Sequence, residues 1–330
     1  MESQEYFEGA GHYDVETVRF FDVAHEGAQL RAIAGACEQL ADLYGMQPRS
    51  VVIVATDQIA KATARFVVQQ RSPLRLPVVI ADVMPAYIGA LDVVLFVGDV
   101  ADDETLSRSL ITAGHRGATV ILAGPARGPI LEDAPSDAVV LPALPTVAGA
   151  SPVRGIAAVG AVLDCLDEDA AIVSQRFSDL ADAVDEEIQQ LSPERDETVN
   201  PARQLRGYAQ GARIVHSGFR RTGMGVAELI ASVWSARGLA SSYVSPAELP
   251  QALEQTGAQN DIFYDPILDG PNELVPLKAV IWAEEEAPLS HARVENCAPS
   301  GLGDAATALR LAVRGLAATA LQDQPASDGV

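Results

Sequence analysis

Two stretches decide the fold: Arg49–Val68, RSVVIVATDQIAKATARFVV, and Ala212–Trp234, ARIVHSGFRRTGMGVAELIASVW. Each opens with a short apolar, β-branched run, passes through a polar turn and continues with apolar residues at helical spacing. A strand–turn–helix unit repeated far along the chain implies two α/β halves that begin alike. In open sheets of this kind, ligands sit beyond the carboxyl ends of the strands and at the N-termini of the helices that follow. The search for chemistry therefore narrows to a few loops.

Working outward from Arg49, parallel-strand signals recur at Val51–Ala55, Pro77–Ala81, Asp92–Val97, Ala118–Ala123 and Ala138–Leu141. They are short and apolar on both faces, as strands covered on each side by helices must be. Helical spacing fits Ile59–Gln70, Asp103–Ala113 and Val153–Leu166. This alternation predicts a flavodoxin-like, doubly wound parallel sheet. Residues 1–48 read as a helical preface, with two helices inside Tyr13–Tyr44. Asp167–Gln190 is a charged amphipathic helix, and Leu191–Asn200, with Pro193 among charges, reads as a linker. Beyond it come a short helix, the strand of the second unit, strands at Leu239–Val244 and Val275–Trp282, and a last helix at Ala305–Leu321. The tail DQPASDGV is expected to fray. The expected division is a helical segment over 1–48, a first half over 49–166, a linker helix over 167–200 and a second half over 201–330.

With 330 residues, 48% hydrophobic and 21% charged, the composition is that of a globular chain. The net charge of −22 disfavours nucleic acid and anionic membrane surfaces, both of which call for clustered Lys and Arg. It leaves an anionic small molecule possible, because a few local cations dominate a closed pocket. No apolar run reaches the roughly 18 residues of a membrane span. The acidic N-terminus lacks the basic and apolar regions of a signal peptide. Cys37, Cys165 and Cys297 lack metal-ligand spacing and read as buried, reduced thiols. The expectation is a cytoplasmic protein with no metal and no cofactor.

Three further stretches narrow the reading: DVVLFVGDVADDETLSRSLITAGHRGATVILAG from Asp92, AGASPVRGIAAVGAVL from Ala148, and NPARQLRGYAQGARIVHSG from Asn200 followed by GMGVAELIASVW. Together they resemble the sugar isomerase (SIS) fold, and more narrowly the bacterial and archaeal bifunctional phosphoglucose/phosphomannose isomerases. The resemblance implies two SIS-type halves, aldose–ketose isomerisation of a hexose 6-phosphate, and a homodimer whose clefts are completed across a two-fold interface.

Against that family's pattern, several diagnostic side chains differ. The serine-rich phosphate loop is here Val97–Thr105, VGDVADDET, with carboxylates in place of hydroxyls. Acids there suit a helix N-terminus and repel phosphate. The loop after the first strand, Ala55–Lys61, has no glycine; Asp57 reads as a helix N-cap, with Thr56 and Lys61 as secondary anion contacts. The family's catalytic Glu falls within Val233–Gly238, and no acid occurs between Leu229 and Ala247. Its His-Asn pair falls near Gln259–Asp261, where only Asn260 matches, and its C-terminal Lys falls near Arg310 or Arg314, which hold charge without exchanging protons. No catalytic residue can be assigned.

What survives is binding chemistry. Ser151 and Arg154 match the family's Pro/Arg loop, in which the Arg lies against the substrate. Ser217, Arg220, Arg221 and Thr222 follow the second-half strand and form a plausible anion loop, because amides, guanidinium groups and hydroxyls converge there. His216 reads as a hydrogen-bonded structural histidine, and His291 as one the resemblance would contribute across a dimer. Asn260 and Arg314 complete the candidate binding set. Asp261–Glu273 reads as a loop, broken by Pro266 and Gly270. The expected function is a phosphosugar isomerase-like protein that binds glucose 6-phosphate, mannose 6-phosphate or fructose 6-phosphate, with impaired catalysis. The alternatives are a non-catalytic sensor of a sugar phosphate or nucleotide sugar, and a regulatory or structural partner of a mannose-phosphate enzyme.

Overall fold

The computed structural model describes residues 14–145, 149–257, 275–286, 289 and 292–321. Two helices, α1 (Val15–Ala24) and α2 (Glu26–Ala36), precede a 3-10 segment over Cys37–Leu43. The first half follows with β1 (Ser50–Ala55), α3 (Gln58–Arg71), β2 (Val78–Ala81), β3 (Asp92–Val97), α4 (Glu104–His115), β4 (Thr119–Ala123), α5 (Pro129–Glu132), β5 (Val139–Val140) and α6 (Pro152–Cys165). Its five strands are parallel, in the order β2-β1-β3-β4-β5. This is the doubly wound order expected from the sequence.

Every residue of β1 and β3 is buried. Alternate side chains supply the two faces. Val51, Ile53, Val93 and Leu95 join the core under α3 and α6, while Val52, Val54, Val94 and Phe96 pack with Leu106 and Leu110 of α4. Helix α6 is buried all round except at Asp164, because it runs through the middle of the molecule. Small residues make that possible: a Cβ on Gly155 would stand 2.7 Å from the Thr63 hydroxyl of α3.

Helix α7 (Ala170–Leu191) leads to α8 (Pro201–Ala209) and the second half. The connection between them is pinned, not loose. Asn200, fully buried, caps α8 by accepting from Ala202 N and Arg203 N and donates its amide to Leu191 O and Ser192 O. The second half comprises β6 (Arg213–Ser217), α9 (Arg221–Ala236), β7 (Ser241–Tyr243), α10 (Leu249–Gly257), β8 (Leu277–Trp282), β9 (Ala292–Glu295) and α11 (Gly303–Ala320). Its parallel sheet, β7-β6-β8-β9, repeats the first four positions of the other. Helices α3 and α9 meet across the halves where α9 carries Gly225, whose added Cβ would lie 2.8 Å from Gln70 Nε2 and 2.9 Å from Phe66.

Four elements depart from the sequence reading, the first being the short helix α5, which was not expected. The helix expected to run on to Tyr44 tightens to 3-10 geometry at Cys37; α10 was not expected; and residues 292–295 are a strand where a helix around His291 was expected. His291 lies outside the described residues, as do Asn260 and the segment 261–273.

Candidate functional site

The topological switch point of the first sheet lies between β1 and β3, where the loops 56–57 and 98–103 face the N-terminus of α6. Asp57 is the N-cap of α3, as its sequence position implied: Oδ1 accepts from Ala60 N at 2.8 Å, and Oδ2 accepts from Asp99 N at 2.8 Å. Gly98 sits at φ +134° with room for no side chain, since a Cβ would come 2.1 Å from Thr56 Oγ1. Arg154 does point to this edge, but it is only 3% exposed. Its Nη2 donates to Asp99 Oδ1 at 2.7 Å and its Nη1 to Gly124 O at 2.9 Å. Ser151 caps α6 by accepting from Arg154 N.

A second carboxylate reaches the same helix end from the preface. Glu26, on α2 and fully buried, accepts from Val153 N at 2.9 Å and bonds the Ser151 hydroxyl. Burial pushes its carboxyl up to about 7, against the pull of these bonds and of Arg154. Burial also raises the Asp99 carboxyl, with Arg154 pulling it down and Asp57 pushing it up. The space left among these groups is about 10 Å³, room for about one water. Among the described residues Thr56 Oγ1 is buried with no hydrogen-bond partner, and Lys61 is drawn off to Asp82. The anion site expected in the first half is thus filled by the chain's own carboxylates. Glu26 gave no sequence signal, since nothing local ties an acid on α2 to a loop 127 residues on.

The second switch point lies between β6 and β8. His216 is sealed: Nδ1 accepts from Trp282 Nε1 at 3.0 Å, and the ring stands edge-on to Trp234 at 4.8 Å. Burial pulls its pKa down to about 3, so the imidazole is neutral. Ser217 is buried with its hydroxyl unpartnered. Gly218 and Gly223 touch, and Gly223 lies against Trp282 O, so the turn into α9 is compact. Arg220 donates to Ala283 O at 2.8 Å and to Glu284 at 3.3 Å, with much of its side chain exposed. Arg221 turns towards the first half and donates to Ser72 O at 2.7 Å. Thr222 donates to Asp304 Oδ2 at 3.3 Å. Between these loops a crevice of about 420 Å³ opens, walled by Arg220, Thr222, Glu285, Asn296, Ser300, Asp304 and Thr307. Helices α9 and α11 both begin here without a side-chain cap from Arg220 or Leu302.

The structure therefore brings Arg220 and Thr222 to one crevice with Asn296, Ser300 and Asp304, which sequence reasoning did not single out. It holds Ser151 and Arg154 at the other sheet edge. Arg314 belongs to neither. It is 7% exposed and donates to Glu187 and Glu295, both buried, and to Asn296 O. Arg310 joins it on Glu187, so the two arginines of α11 bind the linker helix and β9. Cys37 and Cys165 are buried as expected; Cys297 is half-buried, its thiol pushed up to about 11 by burial and Glu187. Among the described residues no group of three or more His, Cys, Asp or Glu could hold a metal, and no helix is long and apolar enough to cross a membrane.

No protein-family profile and no curated protein matches the chain. Solved structures do. A candidate phosphosugar isomerase from Silicibacter pomeroyi is 15% identical with a TM-score of 0.58, over 91% of this chain and 96% of that one. The C-terminal domain of glucosamine-fructose-6-phosphate aminotransferase from Francisella tularensis is 12% identical with a TM-score of 0.58, over 96% and 99%. Tagatose-6-phosphate ketose/aldose isomerase from Escherichia coli is 13% identical with a TM-score of 0.57, over 91% of each chain. At such identities the likeness speaks to architecture alone, and it extends over nearly the whole chain. The protein has the two-half sugar isomerase (SIS) fold.

Proposed function

We propose that this protein is a divergent relative of the phosphoglucose/phosphomannose isomerases that binds a hexose 6-phosphate of the glucose, mannose or fructose type, with catalysis impaired. The observation that carries this reading is the contrast between the two sheet edges. The first has about 10 Å³ around a buried arginine held by Asp99 at 2.7 Å; the second has about 420 Å³ with the exposed Arg220, held by Glu284 at 3.3 Å, and the starts of α9 and α11 at its wall. A phosphate suits Arg220 and the amides of α9. Sugar hydroxyls suit Glu285, Asn296, Ser300 and Asp304, which accept hydrogen bonds.

Impaired catalysis rests on the missing base. Isomerisation needs a group that exchanges protons near neutral pH at the carbon acid. Val233–Gly238 offers no carboxylate, and His216 is both sealed and neutral. The same reading takes the protein as a cytoplasmic homodimer, in keeping with its ancestry.

A thermal-shift screen of the full chain against hexose phosphates, free sugars and nucleotide sugars tests it. One hexose 6-phosphate should raise the melting temperature, with about 2.7 kcal/mol of added stability at a hundred times its dissociation constant. A flat response to all hexose 6-phosphates overturns the proposal, and a response to nucleotide sugars alone shifts it to that class.

A further inference from the structure

A second cavity, of about 450 Å³, lies between the two halves, adjoining the Arg220 crevice at Thr222 and Asp304. Its floor is apolar: Phe66 of α3, Ile156 of α6, Phe177 and Leu180 of α7, and Leu309 of α11. The walls thus come from both halves and the linker helix. Interfaces between domains are where small-molecule sites of this volume and lining concentrate.

The polar groups at its rim are unevenly paired. Arg71 is held by Asp164 at 2.6 and 2.7 Å, and Arg176 by Asp164 and Glu168. The Asp304 carboxylate accepts from Thr222. Arg221 is different. Among the described residues its guanidinium bonds carbonyl oxygens, Ser72 O at 2.7 Å and Gln70 O at 3.5 Å, and meets no carboxylate. With Glu168 counted on Arg176, the rim's guanidinium groups and carboxylates balance in number, and what remains for a ligand is Arg221, whose charge no carboxylate among the described residues meets. An apolar floor with one unmatched cation at the rim fits a ligand with the opposite pattern.

We propose that this cavity is a binding site for an apolar-bodied monoanion: a carboxylate or sulfonate on an aromatic or aliphatic body. The body packs on Phe66, Phe177 and Leu180, and the anionic end pairs with Arg221. The site is separate from the crevice beside Arg220; the Thr222–Asp304 hydrogen bond stands between the two, since both residues line each of them. The inference does not rest on sugar-phosphate binding.

Titration of the full chain with 8-anilino-1-naphthalenesulfonate, read by fluorescence, tests it. The expected result is a saturable rise at one site, reversed by octanoate and not by octanol at equal concentration. Ala308→Trp, which fills the cavity from α11, should weaken the dye by about tenfold or more while leaving the melting temperature unchanged or higher. Ala157→Phe does the same from the opposite wall should the first variant fold poorly. Arg221→Gln should weaken the dye by about tenfold and leave the neutral dye Nile red unaffected. An unsaturable signal, or equal affinity in the filled variants, overturns the site. Displacement by octanol as well as by octanoate, or an unchanged affinity in Arg221→Gln, overturns its preference for an anion.

Discussion

Arg154 of α6 and Asp99 of the β3–α4 loop meet at 2.7 Å across the carboxyl edge of the first sheet, and this contact occupies the guanidinium group that the sequence reading offered to an anion. The arginine is 3% exposed and shares its other arm only with Gly124 O. Removing Asp99 would leave a buried cation without a counter-charge, which costs about 3–5 kcal/mol. Asp99→Ser should therefore unfold at markedly lower urea in chloride buffer. Sulfate should then restore more stability to the variant than it adds to the parent, because the anion can take the carboxylate's place. Equal sulfate effects on both proteins would show that the pocket cannot accept an anion even when emptied.

Glu26 gives the same edge a dependence on pH. Its carboxyl is pushed up from 4.5 to about 7 by burial, so the folded state holds a proton that the unfolded chain releases. Stability from this group is greatest below pH 4.5 and is lost as pH rises towards 7, by up to about 3 kcal/mol. Glu26→Gln keeps an oxygen for Val153 N and removes the charge. Urea unfolding between pH 5 and 8 should show the parent losing stability relative to the variant across about two pH units. Parallel profiles would mean that Glu26 ionises normally in the fold.

Arg314 was a candidate ligand contact by its place near the chain end, yet all its donors go to Glu187, Glu295 and Asn296 O. Arg314→Met should cost about 1.5–3 kcal/mol, since it removes charged hydrogen bonds from two buried carboxylates that keep Arg310 on Glu187 and Arg293 on Glu295. The affinity for any hexose phosphate should stay the same in the folded fraction. A large loss of affinity with little loss of stability would return Arg314 to the binding set.

How much of this the sequence discloses depends on the range of the interaction. The strands of the first half were legible because SVVIVA and DVVLFV are β-branched and buried on both faces, which leaves little else for them to be. The Asp57 and Asp103 caps were legible because a cap bonds amides two or three residues away. β9 was missed: ARVE is four residues long, lies at a sheet edge and is buried only at Glu295. The site was hardest. Arg154–Asp99 spans 55 residues and Glu26–Val153 spans 127, and no local pattern links such partners. The sequence shows that the Val97–Thr105 loop is acidic, but not that Asp99 turns inward onto Arg154 while Glu26 of α2 reaches the end of α6.

His216 provides the last test, because its placement decides whether imidazole chemistry is open to the second half. Its Nδ1 is taken by the Trp282 indole, its ring stands edge-on to Trp234, and Nε2 is buried with no hydrogen-bond partner among the described residues. With a folded pKa near 3 against 6.5, the imidazole contributes stability that is present above pH 6.5 and lost as pH falls towards 3. Its ring resonances should therefore not shift between pH 5 and 8, and diethyl pyrocarbonate should leave it unmodified in the native protein. An inflection near 6.5, or rapid modification, would show that the ring reaches solvent. In that case a proton-transfer role beside the Arg220 crevice would have to be reconsidered. Silence in both measurements would leave His216, the histidine of β6, unable to move a proton beside the Arg220 crevice.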